Sequence, residues 1–130
     1  MRKTLAIREG ERLPDGRTLQ EGSLYVDSTE SDDIPITWAN DNNMTTAIGR
    51  AFNMERKLDT LRTDKVEISF EMIMNDPDFD LDLFDVYVFA TDIKEKILDT
   101  GNNNRLVERA RIRTLQLVGI PGIRFGGNAS

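Results

Sequence analysis

Residues 75–101 read NDPDFDLDLFDVYVFATDIKEKILDTG, and how this stretch folds decides the class of the chain. Two templates fit it. Phe84-Asp85-Val86-Tyr87-Val88-Phe89 is rich in β-branched and aromatic residues, which suits a strand. The helical template rests on position. Asp76 stands where an N-cap belongs, Pro77 suits the first helical position, and Asp78, Asp80 and Asp82 face the positive end of a helix dipole. Phe79, Leu83, Val86, Ala90, Ile93 and Ile97 recur at steps of four and three, which traces one helical face. Lys94 and Lys96 lie near the end, and Gly101 can terminate the run. The positional signals favour a helix, and even a strand at Phe84–Phe89 leaves Thr91–Leu98 as a short helical segment.

The flanking chain reads as β. Val66, Ile68, Phe70, Met72 and Met74 alternate with Lys65, Glu67, Ser69 and Glu71, giving one apolar and one polar strand face. With 47–56 before it and the charged KLDTLRTD between, this makes a hairpin. Ile34, Ile36 and Trp38 alternate with Pro35, Thr37 and Ala39; Pro35 cannot donate to a ladder, so the strand lies at an edge or begins there. The same alternation points Asn40 to the face of Trp38. Residues 5–8 suit an edge strand or an arm, LPDGRT a turn, and 19–26 an extended run. The expected fold is therefore α+β: mostly antiparallel β, barrel-like, with one main helix. It forms a single domain over 1–130, with 1–18 as an extended N-terminal arm and 121–130 as a C-terminal tail.

Composition narrows the chemistry. A chain of 130 residues suits one domain. The net charge of −6 argues against attraction to nucleic acid or an anionic membrane. No apolar run has transmembrane length, and Met1-Arg2-Lys3-Thr4 leads into no apolar segment, so neither a span nor a signal peptide is expected. Cysteine and histidine are both absent. Disulfides and thiolate sites are thereby excluded, and the commonest general base and metal ligand are lost. No cofactor is expected.

Three constellations remain. The run Asp76, Asp78, Asp80, Asp82 suggests calcium, but an EF-hand starting at Asp76 would need glycine and glutamate where Leu81 and Tyr87 stand; no metal site is expected. Ser69 is a hydroxyl without a base, since Lys65 shares its solvated strand face, and so reads as structural. Arg105, Arg109, Arg111, Arg113 and Arg124 make the C-terminal part basic. In a strand, Arg109, Arg111 and Arg113 form one positive row, a candidate partner-binding surface for carboxylates. The competing assignment pairs the row with the chain's own Glu67, Glu71 or Asp78–Asp82.

One resemblance joins these pieces. Ile34-Pro35-Ile36-Thr37-Trp38, then Asn40-Asp41, a polar loop, Ile48-Gly49-Arg50, a charged hairpin and the strand to Met74 follow one order. That order resembles the N-terminal half of tailed-phage prohead (capsid maturation) proteases, from Gly10 to about Met74. In that family a histidine stands at the position of Asn40. A later strand carries the catalytic serine in a Ser-Ile-Gly-like setting, where this chain has Arg111-Ile112-Arg113-Thr114-Leu115-Gln116-Leu117-Val118-Gly119. Asparagine is no general base at neutral pH. The resemblance with its chemistry removed implies a non-enzymatic virion protein, a capsid decoration or minor capsid component. Its expected partner is the major capsid protein, with copies of itself as a second option, and it would be assembled in the host cytoplasm. The alternatives are a divergent protease, for which Ser69 or Thr114 would need a base in reach, and a head–tail connector or tail adaptor.

Overall fold

The computed structural model describes residues 1–29, 33–39, 46–62 and 64–119. Among these residues the chain is almost wholly β. Strands β1 (Arg2–Glu9), β2 (Arg17–Leu19), β3 (Leu24–Tyr25), β4 (Ile34–Trp38), β5 (Gly49–Leu58), β6 (Val66–Met74), β7 (Phe84–Asp99) and β8 (Asn104–Gly119) form one sheet curled into a half-barrel.

The expected main helix is absent, and so is the shorter one at Thr91–Leu98. The aspartates that looked like helix signals close turns instead. Asp76 Oδ1 accepts the Asp78 N–H and Asp80 Oδ1 accepts the Asp82 N–H, which starts a single 3₁₀ turn at Leu81–Leu83. From Phe84 the chain is extended for 16 residues and pairs antiparallel with β8 along its length.

The apparent helical spacing has a strand explanation. Thr91 lies opposite Arg111 and Lys94 opposite Arg109, so Asp92 and Ile93 together oppose Ala110. That is a β-bulge, one extra residue that shifts side-chain parity. Val86, Val88 and Ala90 point to the core at steps of two; the bulge then inserts one odd step before Ile93, which lines the same cavity as Val88 and Ala90. Two strand steps make a four, and one step with the bulge's extra residue makes a three.

Bulges recur. On β8, Glu108 and Arg113 have no partner on β7, so the buried side runs from Val107 to Ala110 and Ile112, then to Leu115 and Leu117. On β5, Asn53 and Met54 oppose Phe70. Among the described residues the non-glycine positive φ values fall on Asn53 (53°), Asp92 (52°) and Asn103 (54°), the residue types that tolerate this conformation best. Each bulge bends and twists its strand, which lets strands this long curl rather than lie flat.

β8 is the axis of the fold. One edge carries β7; the other takes β2, β3 and β4 in turn, all parallel, at Arg105–Val107, Ala110–Arg111 and Leu115–Leu117. β4 is consequently interior, and Pro35 sits at its start, before the β8 ladder begins at Ile36. β5 and β6 form the expected hairpin, with Val66, Ile68, Phe70 and Met72 buried. Residues 2–9 take the edge-strand alternative rather than the arm, as β1 pairs with β6. In the 13–16 turn the Gly16 N–H donates to Leu13 O, and Gly16 has φ +94° with its Cα side pressed against the Asn103 carbonyl. Tail residues 121–130 lie outside the described residues.

The core gathers Leu5, Leu24, Ile36, Ile68, Phe70, Val86, Leu115 and Leu117. Between β1, β2, β3 and β7 it leaves an apolar cavity of about 330 Å³ bordered by Ile7, Leu19, Leu24, Val88 and Ala90. Beside it Glu9, wholly buried, accepts the N–H groups of Gly22 and Leu24 and the guanidinium of Arg56.

Candidate interaction face

The arginine row lies on the outer face of β8 between the bulges at Glu108 and Arg113. Ala110 and Ile112 are buried between its members, so the alternation read from sequence holds there. The three arginines nonetheless meet different surroundings. Arg109 is exposed, with its guanidinium 4.3 Å from the centre of the Tyr25 ring. Arg111 is the most enclosed, its side chain 13% exposed, with Asp27 at 3.6 Å and Asp92 at 3.9 Å. Arg113 is exposed. The parallel pairing of Tyr25 with Arg111 brings Tyr25 and Asp27 to the row, and the β7 bulge brings Asp92.

The row is therefore a mixed-charge surface. Asp27 Oδ1 accepts from both the hydroxyl and the N–H of Thr29. Those bonds, and then the positive charges of Arg111 and Arg109, hold the Asp27 carboxyl below the ordinary carboxylate range despite partial desolvation. A shallow groove of about 180 Å³ runs alongside, between Asp27, Asp33, Pro35, Arg111 and Arg113. Asp33 in turn meets Arg50 at 3.1 Å. Among the described residues Arg111 forms ion pairs with Asp27 and Asp92, whereas the competing assignment looks to Glu67, Glu71 or Asp78–Asp82 for partners of the row. Asp27, Asp92 and Tyr25 escaped the sequence reading because parallel pairing and a bulge, not sequence proximity, deliver them. Arg105, the first of the basic series, is tied to Glu95 at 3.3 Å. Arg124 lies outside the described residues.

The two candidate hydroxyls sit in different surroundings. Ser69 Oγ accepts a hydrogen bond from Arg2 Nη1 at 3.1 Å, and a guanidinium cannot take up its proton. Lys65 Nζ is turned to the Gly10 carbonyl and the Asp64 carboxylate. Thr114 is buried opposite Phe89, and its hydroxyl meets no hydrogen-bond partner among the described residues. Asn40 and Asp41, the positions on which the protease resemblance turns, lie outside the described residues. Among the described residues no group of acidic side chains is placed to hold a metal ion. No described helix is long and apolar enough to cross a membrane.

No family model, no curated protein and no solved structure matches this chain.

Proposed function

We propose that the protein is a non-enzymatic structural component of a tailed-phage head that binds the major capsid protein. The observation that carries the non-enzymatic part is the state of the two candidate hydroxyls. Ser69 is held by the Arg2 guanidinium, Thr114 is enclosed, and the chain has no histidine to activate either. The phage part rests on the order of strand, Asn40-Asp41, Ile48-Gly49-Arg50 and charged hairpin, which resembles the maturation protease.

The docking surface on this proposal is the outer face of β8. Exposed Arg109 and Arg113 provide the charge, while Arg111 holds that face to Asp27 and Asp92. A mixed-charge face of this kind contributes orientation and partner choice more than raw affinity.

A mass-spectrometric census of purified virions tests the proposal. Copies in the hundreds mark a shell decoration, and about a dozen or fewer a connector or tail position. A chain absent from the particles overturns it.

A further inference from the structure

β1 runs alongside β7, and among the described residues no ladder joins the two. A ladder would hold neighbouring strands about 4.7–4.9 Å apart. Without one, side chains alone close the seam, and they close it incompletely. The β1–β6 ladder is interrupted between Thr4 and Arg8, and Ala90 on β7 and Ala110 on β8 each bring only a methyl group to the space. What remains is the cavity of about 330 Å³, walled by Ile7, Leu19, Leu24, Val88 and Val107. Phe89 and Ile93 border it and are 36% and 41% exposed, so the cavity reaches the surface. We propose that it is a binding site for a small, uncharged, predominantly hydrocarbon molecule, of the class of a single-chain alcohol.

Size and charge select that class. An apolar cavity of about 150 Å³ takes up benzene, so at the same density this one holds roughly a dozen non-hydrogen atoms. Small-molecule sites favour the mouths of β-barrels and mostly apolar linings with a few polar groups. Here, among the described residues, Arg17 is the one polar side chain in the lining. Its charge is already matched. Asp15 lies 2.7 Å from Nε and Glu95 3.6 Å from Nη1, while Arg105 meets Glu95 at 3.3 Å. Two guanidinium groups and two carboxylates leave this rim without net charge. A ligand carboxylate would meet Asp15 and Glu95, and a ligand ammonium would meet Arg17. Either ion would also lose water against aliphatic walls, which costs far more than burying a neutral hydroxyl that can accept from a guanidinium. A polyol would bring several hydroxyls to walls that offer them no side-chain partner beyond Arg17. The site is independent of the capsid proposal: either can fail while the other stands.

Titration calorimetry of the whole chain with 1-octanol, octanoate and octylammonium at neutral pH tests the assignment, since the three share a tail and differ in charge. 1-Octanol should bind saturably at one site with a negative heat-capacity change, the mark of apolar burial. The two ions should bind at least about tenfold more weakly. In NMR spectra, contacts from the octanol chain should fall on the methyl groups of Ile7, Leu24 and Val88. Ala90→Leu extends a side chain into the space and should weaken octanol binding by at least about tenfold. Absence of saturable octanol binding overturns the proposal, and so do contacts that fall elsewhere on the protein. Ions that bind as tightly as octanol overturn the neutral class. These readouts use the unmodified chain and stand even where Ala90→Leu does not fold. A folded Ala90→Leu protein that binds octanol as the parent does also overturns the site.

Discussion

Arg56 grips Glu9 with both arms of its guanidinium. Nε lies 2.8 Å from one carboxylate oxygen and Nη2 3.1 Å from the other, and Glu9 is wholly removed from solvent. The same Nη2 donates to the Leu24 carbonyl, and the carboxylate also receives the Gly22 and Leu24 N–H groups. One side chain of β1 thus fixes the loop into β3 and the middle of β5. Removing one member of a buried pair leaves the other uncompensated. Glu9→Leu should destabilise the fold by about 3–5 kcal/mol. Arg56→Met should cost less, because the two backbone donors still hold the carboxylate and Arg56 is partly open to water. Urea midpoints of both variants check the order; a Glu9→Leu protein as stable as the parent would remove the keystone role.

The charged face separates in the same way into structural and exposed members. Arg111 lies between Asp27 and Asp92, so Arg111→Glu places a third carboxylate there. It should lower stability by about 1–3 kcal/mol. Arg113→Glu reverses a charge at an exposed site on the same face. If the face docks on a capsid, Arg113→Glu weakens binding, and added salt weakens it further, because exposed charges are screened within about 8–10 Å. Salt-insensitive binding that Arg113→Glu leaves intact would place the docking surface elsewhere.

Asp59 ties stability to acid. The Leu61 and Arg62 N–H groups converge on Oδ1, and Arg8 and Arg62 lie 3.0 and 3.7 Å from Oδ2. The Leu61 N–H leads these influences, and together they hold the carboxyl below its ordinary range against a desolvation that acts the other way. A depressed carboxylate binds fewer protons folded than unfolded. Its stabilisation is therefore complete above the unfolded value, about pH 4, and is lost as pH falls through the lower folded value. Stability measured from pH 6 down to pH 2 should fall less steeply below pH 4 in Asp59→Asn than in the parent. Equal slopes would show that other carboxylates carry the acid sensitivity.

How far the fold can be read from the sequence depends on whether a strand keeps its parity. β6 does: it lies between β1 and β5, and its alternation from Val66 to Met72 maps directly onto core and rim. The arginine row keeps parity from Arg109 to Ile112 and was legible over that span. β7 does not, because the Asp92 bulge converts strand period into spacing that a helix also produces. Nothing local marks a bulge apart from the aspartate itself. The Glu9–Arg56 pair joins residues 47 apart in sequence, which no periodicity can reveal. The arrangement of β2, β3 and β4 along one edge of β8 is likewise a property of the assembled sheet.

The bulges themselves yield the sharpest prediction about the fold. Asn53 and Asp92 hold φ values of 53° and 52°, where a Cβ crowds the following carbonyl and a β-branched side chain fits worst. Glycine carries no such penalty. Asn53→Gly should therefore stay close to the parent in stability, whereas Asn53→Val should lose about 1–2 kcal/mol. The Arg2 contact at this position is to the Asn53 backbone carbonyl, so neither substitution removes it. At Asp92 the same contrast sits on top of a small loss from the Arg111 pair, since that carboxylate is largely exposed. The helical alternative for residues 76–101 predicts the reverse at Asp92: glycine in a helix interior would cost about 1 kcal/mol relative to alanine, and valine less. Chemical denaturation of Asp92→Gly and Asp92→Val side by side separates the two. A valine variant more stable than the glycine one would contradict the bulge, and with it the parity argument that makes β7 a strand throughout.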